Sequence, residues 1–249
     1  MVRVTSLGKG LGRVDLRGEG IGKNVLPGRF AMVEAPGHPE CILLRPYSYY
    51  VSESADHIAL LIRDVGKGSG ALLRAAPDDE VVVLGPLGNA FPTPAGKVWA
   101  IAGGVGAGPF GALATHPEVE ILFGARGVYD AGFAESLRAL GGRVTLATDD
   151  GSGGFHGTVV ALLEEKLAKE KAPDALYTCG PGVMMAAVAK VARRRQIPCW
   201  VSLEERMGCG IGICRGCAHP DASGGWRCIC VDGPVYRAEE IFAAMGGEL

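Results

Sequence analysis

At 249 residues the chain is long enough for two domains of ordinary size. Apolar residues make up 48% and charged residues 21%, a balance that supports a large core and argues against disorder. The net charge of −2, without a lysine or arginine block, argues against nucleic acid or an anionic membrane as the main partner. The opening Met1-Val2-Arg3-Val4-Thr5 runs into glycine-rich polar sequence with no apolar stretch of a secretory signal, so reduced thiols in the cytoplasm are expected. Residues 98–115 carry no charge, but five glycines and Pro109 interrupt them; a buried strand entering a glycine-rich turn is expected there, with no membrane span.

In the first 95 residues, short apolar runs at 30–34, 41–44, 59–63 and 80–84 are punctuated by Gly, Pro and Asp, and no convincing helix stands out. Regularly spaced short strands predict a small antiparallel barrel. Arg45-Pro46-Tyr47-Ser48 follows the second run. An arginine fork suits a pyrophosphate, a tyrosine face suits a planar ring, and a hydroxyl suits a ring nitrogen. The motif resembles the flavin-binding element of the ferredoxin–NADP reductase superfamily, which implies FAD. Leu61-Ile62-Arg63 and Gly66-Lys67-Gly68-Ser69 resemble the second and third FAD-contacting pieces of that fold.

Beyond a proline-rich linker at 91–96 the pattern changes to alternating strands and helices. Strands are predicted at 98–102, 119–123, 143–148, 175–178 and 199–203, with helices at 110–115, 133–140, 159–169 and 183–195. Such alternation specifies a doubly wound parallel sheet. Gly103-Gly104-Val105-Gly106-Ala107-Gly108-Pro109 follows the first of these strands, where a dinucleotide pyrophosphate can lie against backbone N–H groups. The same superfamily binds its pyridine nucleotide at this turn in a Gly-Gly-x-Gly-x-x-Pro form. Asp150 ends the third strand of the set, and Cys179-Gly180-Pro181 ends the fourth, resembling the Cys-Gly-Pro motif whose cysteine lies near the nicotinamide. Cys179 is read as a positioning residue. The second strand ends in Gly124-Ala125-Arg126 without an acid, so the choice between NAD and NADP stays open at this point. The basic run Arg193-Arg194-Arg195 is read as a solvated helix end.

The C-terminal segment carries the sharpest signal. Cys209, Cys214 and Cys217 are spaced C-x4-C-x2-C, and twelve residues separate Cys217 from Cys230. This is the spacing of a plant-type 2Fe-2S site, whereas structural zinc sites usually pair their cysteines as two short knuckles. Cys228 is a rival for the fourth position.

The run from Ser202 through Cys214, together with Cys230-Val231-Asp232-Gly233-Pro234-Val235-Tyr236, resembles the electron-transfer subunits of dihydroorotate dehydrogenase B. In that family the fourth ligand directly precedes the x-Asp-Gly-Pro-Val motif, which favours Cys230. The resemblance implies an FAD-binding barrel at 1–95, an NAD-binding α/β domain at 96–203 and a cluster-binding region at 204–249. It also implies an FMN-containing catalytic partner that oxidises dihydroorotate, in a heterotetramer of two chains of each kind. Related reductase subunits of hydrogenases, sulfide dehydrogenases or transhydrogenases, and a zinc-binding regulatory module, are the competing readings.

Overall fold

The structure, a computed structural model, describes residues 2–242; Met1 and residues 243–249 of the expected cluster region lie outside them. The N-terminal part is a six-stranded antiparallel sheet. Its strands are β1 (Val2–Gly8), β2 (Leu11–Arg17), β3 (Phe30–Val33), β4 (Arg45–Ser54), β5 (His57–Arg63) and β6 (Val83–Leu87), in the order β1-β2-β5-β4-β3-β6. Helix α1 (Lys67–Leu73) follows β5.

Strand periodicity explains how this sheet acquires two covered faces. Ile58, Leu60 and Ile62 of β5 point into a core shared with Val14, Leu16, Ala31, Val33, Tyr49 and Leu72. Ala59 and Leu61, on the opposite face, join Tyr50 and Leu11 in a second core with Ala107 and Phe110. The barrel strands thus pack inward on one another and outward on the next sheet.

That second sheet contains β7 (Val98–Gly103), β8 (Val119–Ala125), β9 (Val144–Thr148), β10 (Phe155–His156), β11 (Ala175–Cys179) and β12 (Cys199–Ser202), all parallel. Helices α2 (Gly132–Ala139), α3 (Val159–Lys169) and α4 (Gly182–Arg195) connect its strands. Helix α3 shows why such segments are helical. Thr158 Oγ1 accepts a hydrogen bond from the Ala161 N–H, and Val159, Leu162, Leu163 and Leu167 recur on the buried face. Downstream lie the hairpin β13 (Ala218–Pro220) and β14 (Trp226–Cys228), α5 (Ile229–Asp232), β15 (Val235–Arg237) and α6 (Ala238–Ile241). β15 pairs antiparallel with β12 and completes the order β10-β9-β8-β7-β11-β12-β15. No helix among the described residues is long and apolar enough to cross a membrane.

The structure corrects several predicted elements. Residues 41–44 form no strand: Ile42 and Leu43 are exposed, and the strand begins at Arg45. The run at 80–84 is displaced to Val83–Leu87. A helix, α1, does occur in the first 95 residues, and Val2–Gly8 and Leu11–Arg17 add a hairpin that apolar runs did not mark. The helix expected at 110–115 is a 3-10 helix over Gly104–Leu113, tightened where Pro109 supplies no N–H.

Asn89 ties the C-terminal segment to the antiparallel sheet. Its side-chain amide donates to the Val235 carbonyl and accepts from the Val235 N–H, each at 2.8 Å, while the Asn89 N–H donates to Gly233 O at 2.7 Å. Asn89→Ala leaves two backbone groups without partners, so we expect a loss of about 2 kcal/mol. At this chain length that corresponds to a fall in Tm of roughly 4–8 °C, to be read by calorimetry.

Candidate functional site

The residues singled out in the sequence gather in three places, one on β4 and the turn into α1, one at the ends of β7, β9 and β11, and one in the cysteine segment. The first is formed by β4 and the turn into α1. The Arg45 guanidinium is held by the carbonyls of Cys41, at 3.2 Å, and Leu43, and Gly68 lies directly beneath it. Arg45 and Tyr47 lie on one face of β4, and burial pushes the Tyr47 phenol up to about 12. Ser48 lies against the 3-10 turn: a Cβ added at Gly108 would stand 3.4 Å from its own Cβ. Ser69 Oγ accepts from the Val65 N–H at 2.9 Å and donates to Gly66 O at 3.1 Å, fixing the loop. Leu61 and Ile62 are buried core side chains of β5. Arg63 instead reaches Asp130 at 3.0 Å and approaches Gly104.

The second recess lies at the C-terminal ends of β7, β9 and β11. Gly103, Gly104, Gly106 and Pro109 wrap the end of β7, with Gly104 at φ 56°. Gly106 is pressed on the Cys179 carbonyl so closely that a side chain would collide with it. Gly180 and Pro181 pack against Gly103, which brings the two strand ends together. Cys179 is buried, and burial pushes its thiol well up; it remains a neutral thiol, as suits a positioning residue.

The ends of β8 and β9 are laced by Asp149 N–H to Ala125 O and Asp150 N–H to Arg126 O, both 3.1 Å. Register thus brings Asp150 beside Arg126 at the end of the second strand. The Ser152 hydroxyl and N–H donate to Asp150, at 2.6 and 2.9 Å, and hold its carboxyl below the usual range. Asp130, missed in the sequence reading, pairs with Arg63 across the first two recesses; nothing local in the sequence connects them.

The third recess holds the thiols, and they associate in two pairs. Cys209 contacts Cys214, whose N–H donates to Cys209 Sγ at 3.4 Å. Cys217 contacts Cys230, whose sulfur accepts from the Gly212 N–H at 3.2 Å. A single zinc with four thiolates at about 2.3 Å would gather all the sulfurs within about 3.8 Å of one another. Among the described residues, however, only Asp15, Glu53 and His57 form a trio of ligand atoms mutually within 4.8 Å. Paired thiols suit two irons with two thiolates each. The backbone of Cys228 is engaged elsewhere, its N–H on Asp232 at 2.7 Å, and its side chain packs on the core.

The thiol loop stands close to the first recess. Gly210, at φ 73°, packs on β3 and β6, where an added Cβ would lie 2.6 Å from Met32 Cγ and 3.1 Å from Leu87 Cδ1. Met32 is the cross-strand partner of Pro46. One strand spacing, about 4.8 Å, separates the β-strand under the thiols from the Arg45–Ser48 motif.

Residues 204–242 match the family described as the iron-sulfur cluster binding domain of dihydroorotate dehydrogenase B. The chain is 36% identical over 234 residues to the dihydroorotate dehydrogenase B (NAD(+)) electron transfer subunit of Desulforamulus reducens, covering 89% of this chain and 88% of that one. It is 38% identical over 227 residues to the corresponding subunit of Bacillus caldolyticus, covering 86% of each. In fold it is similar to an NADH-dependent reduced ferredoxin-NADP oxidoreductase, with a TM-score of 0.85 at 24% identity, over 97% of this chain and 88% of that one. It is also similar to a ferredoxin NADP+ reductase from Neisseria gonorrhoeae with bound FAD and NADP, with a TM-score of 0.59 at 17% identity, over 78% and 89% of the two chains. Two sheets of this kind and a paired-thiol segment define an oxidoreductase component of ferredoxin reductase fold. The chain belongs to the family of dihydroorotate dehydrogenase B (NAD(+)) electron transfer subunits.

Cys209 accepts hydrogen bonds from the N–H groups of Cys214 and Ile211, which bring its thiol down to about 6, whereas burial pushes Cys230 up to about 12. In the metal-free chain, iodoacetamide should therefore alkylate Cys209 half-maximally near pH 6 and leave Cys230 untouched at neutral pH. Peptide mass spectrometry across a pH series measures both.

Proposed function

We propose that this chain passes electrons from an FMN-containing catalytic subunit, which oxidises dihydroorotate, through a 2Fe-2S cluster and FAD to NAD+, as a step in pyrimidine biosynthesis. The observation that carries this reading is the two-by-two pairing of the thiols one strand away from Arg45-Pro46-Tyr47-Ser48. Bound FAD supplies the conversion between hydride transfer with the nicotinamide and single-electron transfer with the cluster.

In this reading Arg45 holds the flavin pyrophosphate, Tyr47 covers the ring system and Ser48 hydrogen-bonds a ring nitrogen. Pro46 keeps the strand extended, and Leu61, Ile62, Arg63, Gly68 and Ser69 supply backbone and loop contacts. Gly103, Gly104, Gly106 and Pro109 carry the NAD pyrophosphate, while Cys179, Gly180 and Pro181 bound the nicotinamide end. Asp150, kept ionised by Ser152, accepts from the adenosine ribose and repels a 2′-phosphate, which selects NAD over NADP. Cys209 and Cys214 hold one iron, and Cys217 and Cys230 the other, with Cys228 outside the set. No described residues assemble a dihydroorotate pocket in our reading, so oxidation of that substrate belongs to the partner. We place the complex in the cytoplasm, where thiols stay reduced, as a tetramer of two plus two subunits.

Anaerobically purified chain should show flavin and iron–sulfur absorbance, and NADH should bleach both; a colourless protein would overturn the reading. The catalytic partner that co-purifies should contain FMN and oxidise dihydroorotate, and a partner with another activity would redirect the assignment. Cys228→Ala should keep two irons per chain by colorimetric assay, whereas Cys230→Ala should lose them. For Asp150→Asn, steady-state kinetics should give about a tenfold fall in kcat/KM for NADH, the size expected for one charged hydrogen bond, with a smaller preference over NADPH.

A further inference from the structure

The 3-10 segment Gly104–Leu113 contains no charged residue. A dinucleotide pyrophosphate is a dianion, and backbone N–H groups offer it only partial charges. Any cation that joins them must come from elsewhere in the fold, and the structure brings one from the barrel. Arg63 is the last residue of β5. Strand periodicity puts it on the face of β5 that carries Ala59 and Leu61, and that face packs on Ala107 and Phe110 of the 3-10 segment. The Arg63 Nη2 would stand 4.0 Å from a Cβ added at Gly104. Its Nη1 donates to Asp130 Oδ1 at 3.0 Å. The side chain is 35% exposed, so a ligand can reach it.

Asp130 closes the short 3-10 turn Val128–Asp130. At the other end of this turn the Val128 N–H donates to Ser152 Oγ at 2.8 Å, and the same hydroxyl donates to Asp150 at 2.6 Å. One turn of three residues therefore aims Arg63 at one end and is tied at the other to the acid read as the ribose ligand. Ribose and pyrophosphate adjoin in a dinucleotide, so partners fixed at the two ends of one turn suit a single molecule spanning both. Stability is a weak reason for the Arg63–Asp130 pair, because ion pairs this open to water contribute at most about 1 kcal/mol.

We propose that the Arg63 guanidinium, supplied by the barrel and aimed by Asp130, binds the pyrophosphate of the NAD carried on the Gly103–Pro109 turn. The planar fork fits the task, with one nitrogen on the carboxylate and the other turned to a phosphate oxygen. The backbone of Arg63 stays with the flavin loop contacts, while its side chain serves the other cofactor. Asp130 is a positioning residue in this scheme and acts through Arg63. The inference rests on NAD occupying that turn, as read under the proposed function.

The test uses the full chain loaded with FAD and compares wild type with Arg63→Met, which keeps an unbranched stem and removes the fork. Calorimetric titration with ADP-ribose, which carries the pyrophosphate but no nicotinamide, should show binding weakened about tenfold in the variant, the size of one charged hydrogen bond. Asp130→Ala should weaken it as well, and the double variant should bind no more weakly than Arg63→Met alone. Half-maximal flavin reduction by NADH should need about tenfold more NADH in Arg63→Met. Reduction by dihydronicotinamide riboside, which has no phosphate, should match wild type. Wild-type affinity for ADP-ribose in FAD-loaded Arg63→Met overturns the proposal. So does loss of FAD from that variant where wild type keeps it, since the fork then serves the flavin. Should Arg63→Met not fold, the wild-type chain decides. ADP-ribose should slow the modification of Arg63 by phenylglyoxal, read by peptide mass spectrometry, and equal modification with and without it refutes the proposal. A wild-type chain whose flavin neither NADH nor dihydronicotinamide riboside reduces sinks the proposed function itself.

Discussion

Gly210 rests on Met32 and Leu87, and the segment from Gly233 to Val235 is stitched to Asn89; between them these contacts fix where the thiol loop stands relative to the antiparallel sheet. Electron transfer tolerates little variation in such a distance, and a loop as rich in glycine as this one has no helix or strand of its own to set it. Its position is borrowed from β3 and β6. β3 in turn pairs with the strand carrying Arg45, Tyr47 and Ser48, so two of the three recesses share one pair of strands as a ruler. The second recess is added by the 3-10 turn, whose glycines let it press on Cys179 and leave room over Ser48.

The electrostatics of the thiol loop follow from the same packing. Cys214 is exposed and Cys209 partly so, whereas Cys217 and Cys230 are sealed beneath Ile229 and Tyr236. Backbone N–H groups favour the thiolate at Cys209, and burial opposes it at Cys230.

The sequence revealed those parts of the molecule in which chemistry forces a local spacing. The four cysteines, the glycine turn after β7 and the Cys179-Gly180-Pro181 corner are each contiguous or nearly so, and the alternation of β7 to β12 with helices has a period that survives reading without a structure. Elements created by tertiary packing stayed hidden. α1 is built from Lys-Gly-Ser-Gly-Ala-Leu-Leu, a poor helix former, and is helical because Gly68, Ser69, Gly70, Ala71 and Leu72 are buried. The apolar run at 41–44 misled for the opposite reason. Ile42 and Leu43 are exposed because the backbone there turns its carbonyls to Arg45. Asp150 was legible as a strand-end residue of the nucleotide crevice, but its place beside Arg126 was not, because register, not sequence, brings the two together.

β5 is buried along both of its faces, one committed to the barrel core and the other to the core under the 3-10 turn. A strand with no free side cannot lose its neighbours on one flank and keep them on the other. The barrel and the nucleotide sheet are therefore thermodynamically one unit across this strand. Heat or denaturant should melt them together in a single cooperative transition, and neither half should survive as a folded fragment once the chain is cut between them.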